Sequence, residues 1–207
     1  MAGARLTSTG VFQIATGPGG FASTQSTTCT RKKPPKGPPL GNRITYKRDQ
    51  LLNWLANAGS AVSKLLSRQS EMEEGLLIAR EQALTNMTFF DSLTAAQRSA
   101  LERAIANGRL GEFQMHMGKI VEQAYATELR TVFPQSFRYV SESAASSAFD
   151  YTITIEGTVF QVDLTAGSYG SYLSHMARTP IDILIQYSSL TWAEMVRVGT
   201  LLGVTIL

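Results

Sequence analysis

Two aspartates occupy matching positions on a predicted β-hairpin. Residues 149–155 and 158–164 alternate in apolar side chains and are separated by two residues, the second a glycine, which predicts a tight turn. In that register Asp150 lies directly opposite Asp163. Their Cβ atoms would be roughly 5 Å apart, so two ionised carboxylates repel each other. A divalent cation reverses this repulsion, because hard cations bind carboxylate oxygens, and the pair is therefore a candidate metal site.

A third carboxylate and two polar side chains could complete the site. Glu122 lies on a predicted long helix, 112–132, among apolar residues that indicate the border of a buried surface. Lys119 precedes it by nearly one helical turn. Gln161 shares the polar face of the hairpin and could hold a water or a phosphate. The competing interpretation is that these groups lie on a solvated sheet face and a solvated helix face, where repulsion is small.

Other kinds of site find less support in the residue types. One cysteine, Cys29, and two histidines at scattered positions cannot provide four zinc ligands. There is no phosphate-binding P-loop, no dinucleotide fingerprint and no G-x-S-x-G elbow. His175, in the helix after the hairpin, is the better candidate for acid–base chemistry, because His116 lies on an apolar helix face.

The pattern of apolar residues predicts an α+β fold in three parts. Residues 1–43 form a flexible basic arm and linker rich in proline and glycine, 44–109 form a helical region, and 110–207 form an α/β domain. The core of that domain has the order α-β-β-β-α-β, a central mixed sheet flanked by helices. Its predicted elements are helix 112–132, strands 137–141, 149–155 and 158–164, helix 169–177, strand 181–187, a final helix capped by Thr191, and an edge strand at 204–207.

The helical region has its own start and stop signals. Thr45 is the predicted cap of a first helix, whose apolar residues recur at spacings of three and four from Leu51 to Leu65. A second amphipathic stretch covers 71–83. A third covers 95–106 and ends at an Asn-Gly pair, after capping residues at 91–94.

The positive charge is concentrated at one end of the chain. Residues 1–50 hold eight basic residues and one acidic residue, a net charge of +7, whereas residues 51–207 carry −4. The body of the protein is therefore not a basic nucleic-acid-binding surface in itself. The final apolar segment is about half the roughly 20 residues that a membrane-spanning helix needs, so no membrane span is expected.

The order helix–strand–strand–strand–helix–strand resembles the core of the PD-(D/E)XK, or restriction-endonuclease-like, nucleases over residues 110–190. That family has a helical glutamate, an aspartate on the second strand and an acid-x-Lys triplet on the third. The matching positions here are Glu122 in GKIVEQAY, Asp150 in FDYTITIEG and Asp163 in QVDLT. The family lysine falls at Thr165, so Lys119, Gln161 or His175 would have to replace it.

The resemblance implies metal-dependent hydrolysis of phosphodiester bonds in nucleic acid, DNA in preference to RNA. Asp150, Asp163 and Glu122 would hold a divalent metal such as Mg²⁺, and Lys119 and Gln161 would assist catalysis. The modular layout is also similar to that of bacterial polymorphic-toxin effectors, which meet a cognate immunity protein. That similarity implies a soluble protein that acts in the cytoplasm, in the toxin case after export into a target cell.

Two other functions remain open at the level of sequence. One is a metal-free ribonuclease toxin that uses His175. The other is a non-catalytic binding or structural protein on the same fold, in which Thr165 marks a lost active site.

Overall fold

A computed structural model describes residues 41–140, 149–167, 169–177 and 181–206, apart from the side chains of Arg48, Gln50 and Tyr169. It also describes the backbone of two short strands, β1 (Arg5–Leu6) and β2 (Phe12–Gln13), which pair antiparallel. The predicted flexible arm, residues 1–43, lies outside the described residues except for these strands and residues 41–43.

The remaining elements form an α+β structure, as predicted. In chain order they are β3 (Arg43–Tyr46), α1 (Arg48–Asn57), α2 (Gly59–Ser67), α3 (Gln69–Thr85), α4 (Met87–Asp91), α5 (Ala95–Ala106), α6 (Leu110–Val132), β4 (Phe137–Tyr139), β5 (Tyr151–Ile155), β6 (Thr158–Ala166), α7 (Tyr169–Met176), β7 (Ile183–Tyr187) and α8 (Trp192–Leu202). The predicted order α-β-β-β-α-β is confirmed from α6 to β7.

The five longer strands form one mixed sheet in the order β3-β7-β6-β5-β4. Strands β6 and β7 are parallel, and α7 connects them. The other neighbouring pairs are antiparallel. The sheet therefore has a hairpin on one side of β6 and a crossover strand on the other, and β6 is a central strand.

The hairpin has the predicted register. Tyr151 pairs with Val162, and Ile155 pairs with Thr158. Glu156 and Gly157 both have positive φ, 50° and 79°, which a two-residue type I′ turn requires. The turn chemistry and the alternation of apolar residues therefore specify the same pairing.

The two faces of the sheet have different cover. The bundle face consists of alternate strand residues that pack against the helices, and the ring of Trp54 on α1 meets Phe160 edge-on at 4.7 Å. The opposite face, which we call the α7 face, carries the polar residues that alternate with these along the strands. Helix α7 covers it: Ser171 contacts Thr165, and His175 contacts Asp163. The buried side chains of the bundle face are Tyr151, Ile153, Phe160, Val162, Ile183 and Ile185.

Helices on both sides of the predicted boundary at residues 109 and 110 share one hydrophobic core. Helix α3 lies against α6, where Tyr125 donates a hydrogen bond to the Met72 carbonyl at 3.1 Å. Helix α6 buries residues at spacings of three and four, including Phe113, Met117 and Ile120, in agreement with its predicted amphipathic pattern. It ends just before Pro134.

Two predicted helix signals behave as expected. Thr94 forms a capping box with Gln97 at the start of α5, and Thr191 forms one with Glu194 at the start of α8.

Three local predictions were wrong. Thr45 is not a helix cap but lies in strand β3, because the alternating sequence Arg43–Tyr46 pairs with β7 at the sheet edge. The single helix predicted across residues 51–65 is interrupted at Ala58, beside Asn57 and Gly59, two weak helix formers. The edge strand predicted at 204–207 is absent from Val204–Ile206, since the chain folds back after Gly203 and Val204 N donates to the Gly199 carbonyl.

Candidate metal centre

The two aspartates lie together at the open end of the hairpin. Asp150 is the residue before β5, and its backbone N donates to the Val162 carbonyl at 3.1 Å. Its Oδ2 accepts a hydrogen bond from Leu164 N at 2.8 Å, and its carboxyl group also hydrogen-bonds to that of Asp163. Asp163 is only 2% exposed. The predicted juxtaposition is therefore present, with Asp163 buried and Asp150 half-buried.

Four influences raise the pKa of the Asp150 carboxyl group to about 8. Burial is the largest, repulsion from Glu122 follows, repulsion from Asp163 is third, and the hydrogen bond to the Asp163 side chain is the smallest. The hydrogen bond from Leu164 N acts in the opposite direction. At neutral pH Asp150 therefore keeps its proton, and a bound cation would relieve the same repulsion.

The negative charge of Glu122 repels the Asp150 carboxyl group, but the Glu122 carboxylate hydrogen-bonds to Lys119 and Tyr139. Its Oε1 accepts from Lys119 Nζ at 2.9 Å and from the Tyr139 hydroxyl at 2.8 Å. Its backbone carbonyl accepts from the Tyr151 hydroxyl at 2.9 Å. Helix α6 and two neighbouring strands thus hold Glu122 in place at the edge of the site. Lys119 neutralises this glutamate in part and contacts the Tyr139 ring at 5.1 Å.

His175 belongs to the same site as the aspartates. Its Nδ1 makes a short hydrogen bond to Asp163 Oδ2, and its side chain remains 18% exposed. From the sequence, His175 was a candidate both for a metal-free mechanism and for the role of the missing family lysine. In the structure both hypotheses use one cluster, so substitution of Asp163 would affect either mechanism.

Gln161 lies on the α7 face, as predicted, two residues before Asp163. Its backbone N donates to Asp182 Oδ2 at 2.8 Å. Its side-chain Oε1 is buried and has no hydrogen-bond partner. A buried amide oxygen of this kind can accept from a water or contribute to a cation's ligand shell.

Sequence reasoning missed the side chains that cover and orient the site. Tyr139 binds Glu122, and Ser171 makes a short contact with Thr165. Residues 171, 172 and 175 all contact the sheet, which was recognisable as one face of a short helix. The polar hairpin face suggested solvent instead of a second layer.

The donor set fits a hard divalent cation. Asp150 and Asp163 offer two adjacent carboxylates, and Mg²⁺ in proteins commonly uses one or two carboxylates and completes its shell with water and substrate phosphate. Among the described residues, no three His, Cys, Asp or Glu side chains converge on one point as metal ligands. The cluster therefore fits a two-carboxylate site better than the predicted three-carboxylate site, with Glu122 in an electrostatic role.

Comparison of the chain with protein families, with curated proteins and with solved structures finds no match. Within the described part of the chain, no helix has the length and apolar character needed to cross a membrane.

Proposed function

We propose that this protein is a metal-dependent nuclease that hydrolyses phosphodiester bonds. The observation that carries the proposal is the cluster at the open end of the hairpin, where Asp150 and Asp163 share a hydrogen bond and Glu122 adds a third negative charge. The confirmed α-β-β-β-α-β order supports the proposal, because Glu122 and Asp163 come from the elements that the nuclease resemblance implies and Asp150 immediately precedes the second strand.

Asp150 and Asp163 would hold the divalent metal, which, when bound, polarises the scissile phosphate and lowers the pKa of a coordinated water. Asp150 is kept in position by the hydrogen bond that it accepts from Leu164 N. Glu122 strengthens the negative potential at the aspartates, while Tyr139 and Lys119 orient its carboxylate. Gln161 offers its unpaired Oε1 as an acceptor on the same face of the sheet.

His175 is proposed to act where the family lysine is missing. The hydrogen bond from Nδ1 to Asp163 fixes the ring and leaves Nε2 as the nitrogen that can take a proton from the attacking water. Thr165, at the lysine position, cannot do this, because its hydroxyl contacts Ser171 and has a pKa far above neutrality. Lys119 is a weaker candidate, since its ammonium binds Glu122.

The hydrogen bond between His175 and Asp163 also supports a second candidate function, a metal-free ribonuclease. A histidine oriented by a carboxylate is the arrangement that general acid–base catalysis uses, and it needs no cation. In that case Asp163 would be a positioning residue and Asp150 would have no direct role. A third possibility, a binding protein without catalytic activity, predicts that all these substitutions leave nucleic acid intact.

The biological setting is proposed from the resemblance alone. A nuclease of the polymorphic-toxin type would act on nucleic acid, DNA in preference to RNA, in the cytoplasm of a target cell. It would be neutralised in the producing cell by a cognate immunity protein.

The test is cleavage of plasmid DNA and total RNA by the purified chain, with Mg²⁺ or with EDTA. Asp150→Asn separates the two mechanisms, because Asp150 would hold the metal in the first mechanism and would have no direct role in the metal-free one. Asp91→Asn, a change of the same kind on an exposed aspartate, is the matched control.

Metal-dependent cleavage that Asp150→Asn abolishes and Asp91→Asn leaves intact supports the nuclease proposal. Cleavage that persists in EDTA and in Asp150→Asn, but is lost in His175→Gln, supports the ribonuclease. Intact DNA and RNA under every condition would favour the binding protein.

A further inference from the structure

A buried hydrogen-bond donor without a partner lies on the α7 face, outside the acid pair. Gln186 on β7 is fully buried, and its side-chain Oε1 accepts a hydrogen bond from Arg43 Nε at 2.6 Å. Because the Arg43 guanidinium can only donate, the amide atom that it contacts is the oxygen, and the other amide atom is the nitrogen, Nε2. Its Nε2 is buried without any hydrogen-bond partner. A buried donor left unpaired is costly, and it indicates an acceptor that binds there.

The residues around this donor form a row across three strands, which we call the donor row: Arg43, Gln186, Thr165 and Ser171. Gln186 pairs with Arg43 on one side and with Thr165 on the other, so the three side chains share the α7 face. Ser171 of α7 contacts Thr165. All four side chains can donate hydrogen bonds, and Arg43 adds a positive charge.

The geometry favours an oxyanion as the ligand of the donor row. The guanidinium of Arg43 is held between the Gln186 amide and the Tyr172 ring, whose centroid lies 4.7 Å away. A planar guanidinium fixed in this way is suited to the oxygens of a phosphate. Arg43 is only half-buried and provides the accessible end of the row.

The position of the donor row relates it to the candidate metal centre. Thr165 follows Asp163 by two residues on β6, a separation of roughly 6–7 Å on the same face. One nucleotide unit can bridge that distance. Thr165 carries no charge, and Arg43, on a strand two positions away in the sheet, supplies the positive charge of the row.

We propose that the donor row binds a phosphodiester group of a nucleic-acid strand, next to the phosphate at the aspartate pair. This inference rests on the proposed nuclease function, but it concerns binding and not hydrolysis. The two can therefore fail separately.

The decisive variant is Gln186→Met, which keeps the length of the side chain and removes the unpaired donor together with the oxygen that accepts from Arg43. Binding of a fluorescent single-stranded oligonucleotide is measured by anisotropy in EDTA, so that no cleavage intervenes. We expect Gln186→Met to weaken binding roughly tenfold, as for the loss of one hydrogen bond to a charged acceptor. Its thermal stability should stay close to that of the wild type, because removal of the unsatisfied buried donor offsets the loss of the hydrogen bond from Arg43.

Arg43→Gln provides a second test and should weaken binding at least as much. Arg103→Gln, which removes the same charge from an exposed position on α5, is the control and should have little effect. Inorganic phosphate serves as a competitor of the oligonucleotide and as a ligand in thermal-shift measurements.

Selective weakening by Gln186→Met and Arg43→Gln, with competition by phosphate, supports the donor row. Three results would overturn it: wild-type affinity in Gln186→Met, equal losses in Arg43→Gln and Arg103→Gln, or stabilisation by inorganic phosphate without oligonucleotide binding. If Arg43→Gln does not fold, Gln186→Met decides alone. If the oligonucleotide binds as expected but is never cleaved, only the nuclease proposal fails.

Discussion

The two faces of the sheet are built from the same strands, yet they have opposite compositions. On the bundle face, buried apolar side chains such as Phe160 and Val162 pack against the helices. On the α7 face, Asp163, Thr165 and Gln186 are just as buried, at 2%, 5% and 0% exposure, but all are polar. Burial of apolar groups stabilises a fold, whereas burial of a carboxylate pair and an unpaired amide opposes it. The bundle face accounts for the fold, and the α7 face carries the features that stability alone does not explain.

This contrast indicates where function is located. Buried polar groups that remain unsatisfied are expected at binding and catalytic sites, which proteins retain despite their cost. Substitutions on the bundle face should therefore lower stability. Substitutions on the α7 face should preserve or raise stability while they remove activity or binding.

The largest change in stability is expected from Phe160→Ala on the bundle face. The substitution removes a fully buried ring and its edge-on contact with Trp54, and it should lower the free energy of unfolding by about 3–5 kcal/mol. Urea denaturation measures the loss. Val159→Ala, at a neighbouring position that is 50% exposed, is the control and should cost far less. Similar losses in both variants would contradict the account of the bundle face.

On the α7 face, Asp150→Asn should stabilise the metal-free protein. The pKa of Asp150 is raised from 3.8 to about 8 on folding, so the folded state loses stability relative to the unfolded chain as pH rises from about 4 to about 8. Asparagine cannot ionise and removes this loss, a gain of roughly 2–4 kcal/mol at pH 8 in EDTA. Thermal denaturation between pH 4 and pH 9 measures it.

The pH dependence of the stability difference between Asp150→Asn and the wild type is the control for this prediction. The advantage of Asp150→Asn should shrink as the pH falls toward 4, where the carboxyl group of the unfolded chain also begins to take up a proton. Asp91→Asn should show no such trend. A variant that is less stable than the wild type at pH 8 would show that the acid pair stabilises the fold.

His175→Gln should reduce cleavage by about a hundredfold or more while leaving stability nearly unchanged. Loss of a positioned proton acceptor commonly costs 10²–10⁴ in rate. The effect should fall on kcat more than on KM, because the ring acts on the water and not on the bound strand. His116→Gln, at the other histidine of the chain, is the matched control. Equal activity in both variants would remove His175 from the mechanism.

The smallest effect is expected from the hydrogen bond that anchors the backbone of Glu122. Tyr151→Phe removes the hydrogen bond to the Glu122 carbonyl and should cost about 1 kcal/mol of stability, with a small loss of activity as α6 loses an anchor. Tyr125→Phe, which removes a hydrogen bond to the Met72 carbonyl and none to Glu122, should cost similar stability and no activity. Denaturation and cleavage assays on both variants separate anchoring from packing.

Short-range signals explain what could be predicted from the sequence. The turn at Glu156 and Gly157, with alternating apolar residues on both sides, determined the hairpin register and so the meeting of Asp150 and Asp163. The cap at Thr191 and the apolar stripe of α6 were equally local. A pattern confined to neighbouring residues is sufficient for such elements.

Long-range pairings explain what could not be predicted. Arg43 joins the sheet through β7, 143 residues away in sequence, and nothing near it indicates that partner. The contact between His175 and Asp163 requires the crossover of α7 over the sheet. One signal was available: Gln186 is a single polar residue within an otherwise apolar central strand, which commonly marks a functional or satisfied polar position.

Cleavage of nucleic acid by the wild type and by Asp150→Asn, each with Mg²⁺ and with EDTA, tests whether the acid pair is a metal-dependent hydrolytic site. We expect cleavage only by the wild type with Mg²⁺, and a loss of roughly a thousandfold or more in the variant, since several kcal/mol of transition-state stabilisation are removed. Cleavage by Asp150→Asn at the wild-type rate, or wild-type cleavage that continues in EDTA, would contradict this expectation.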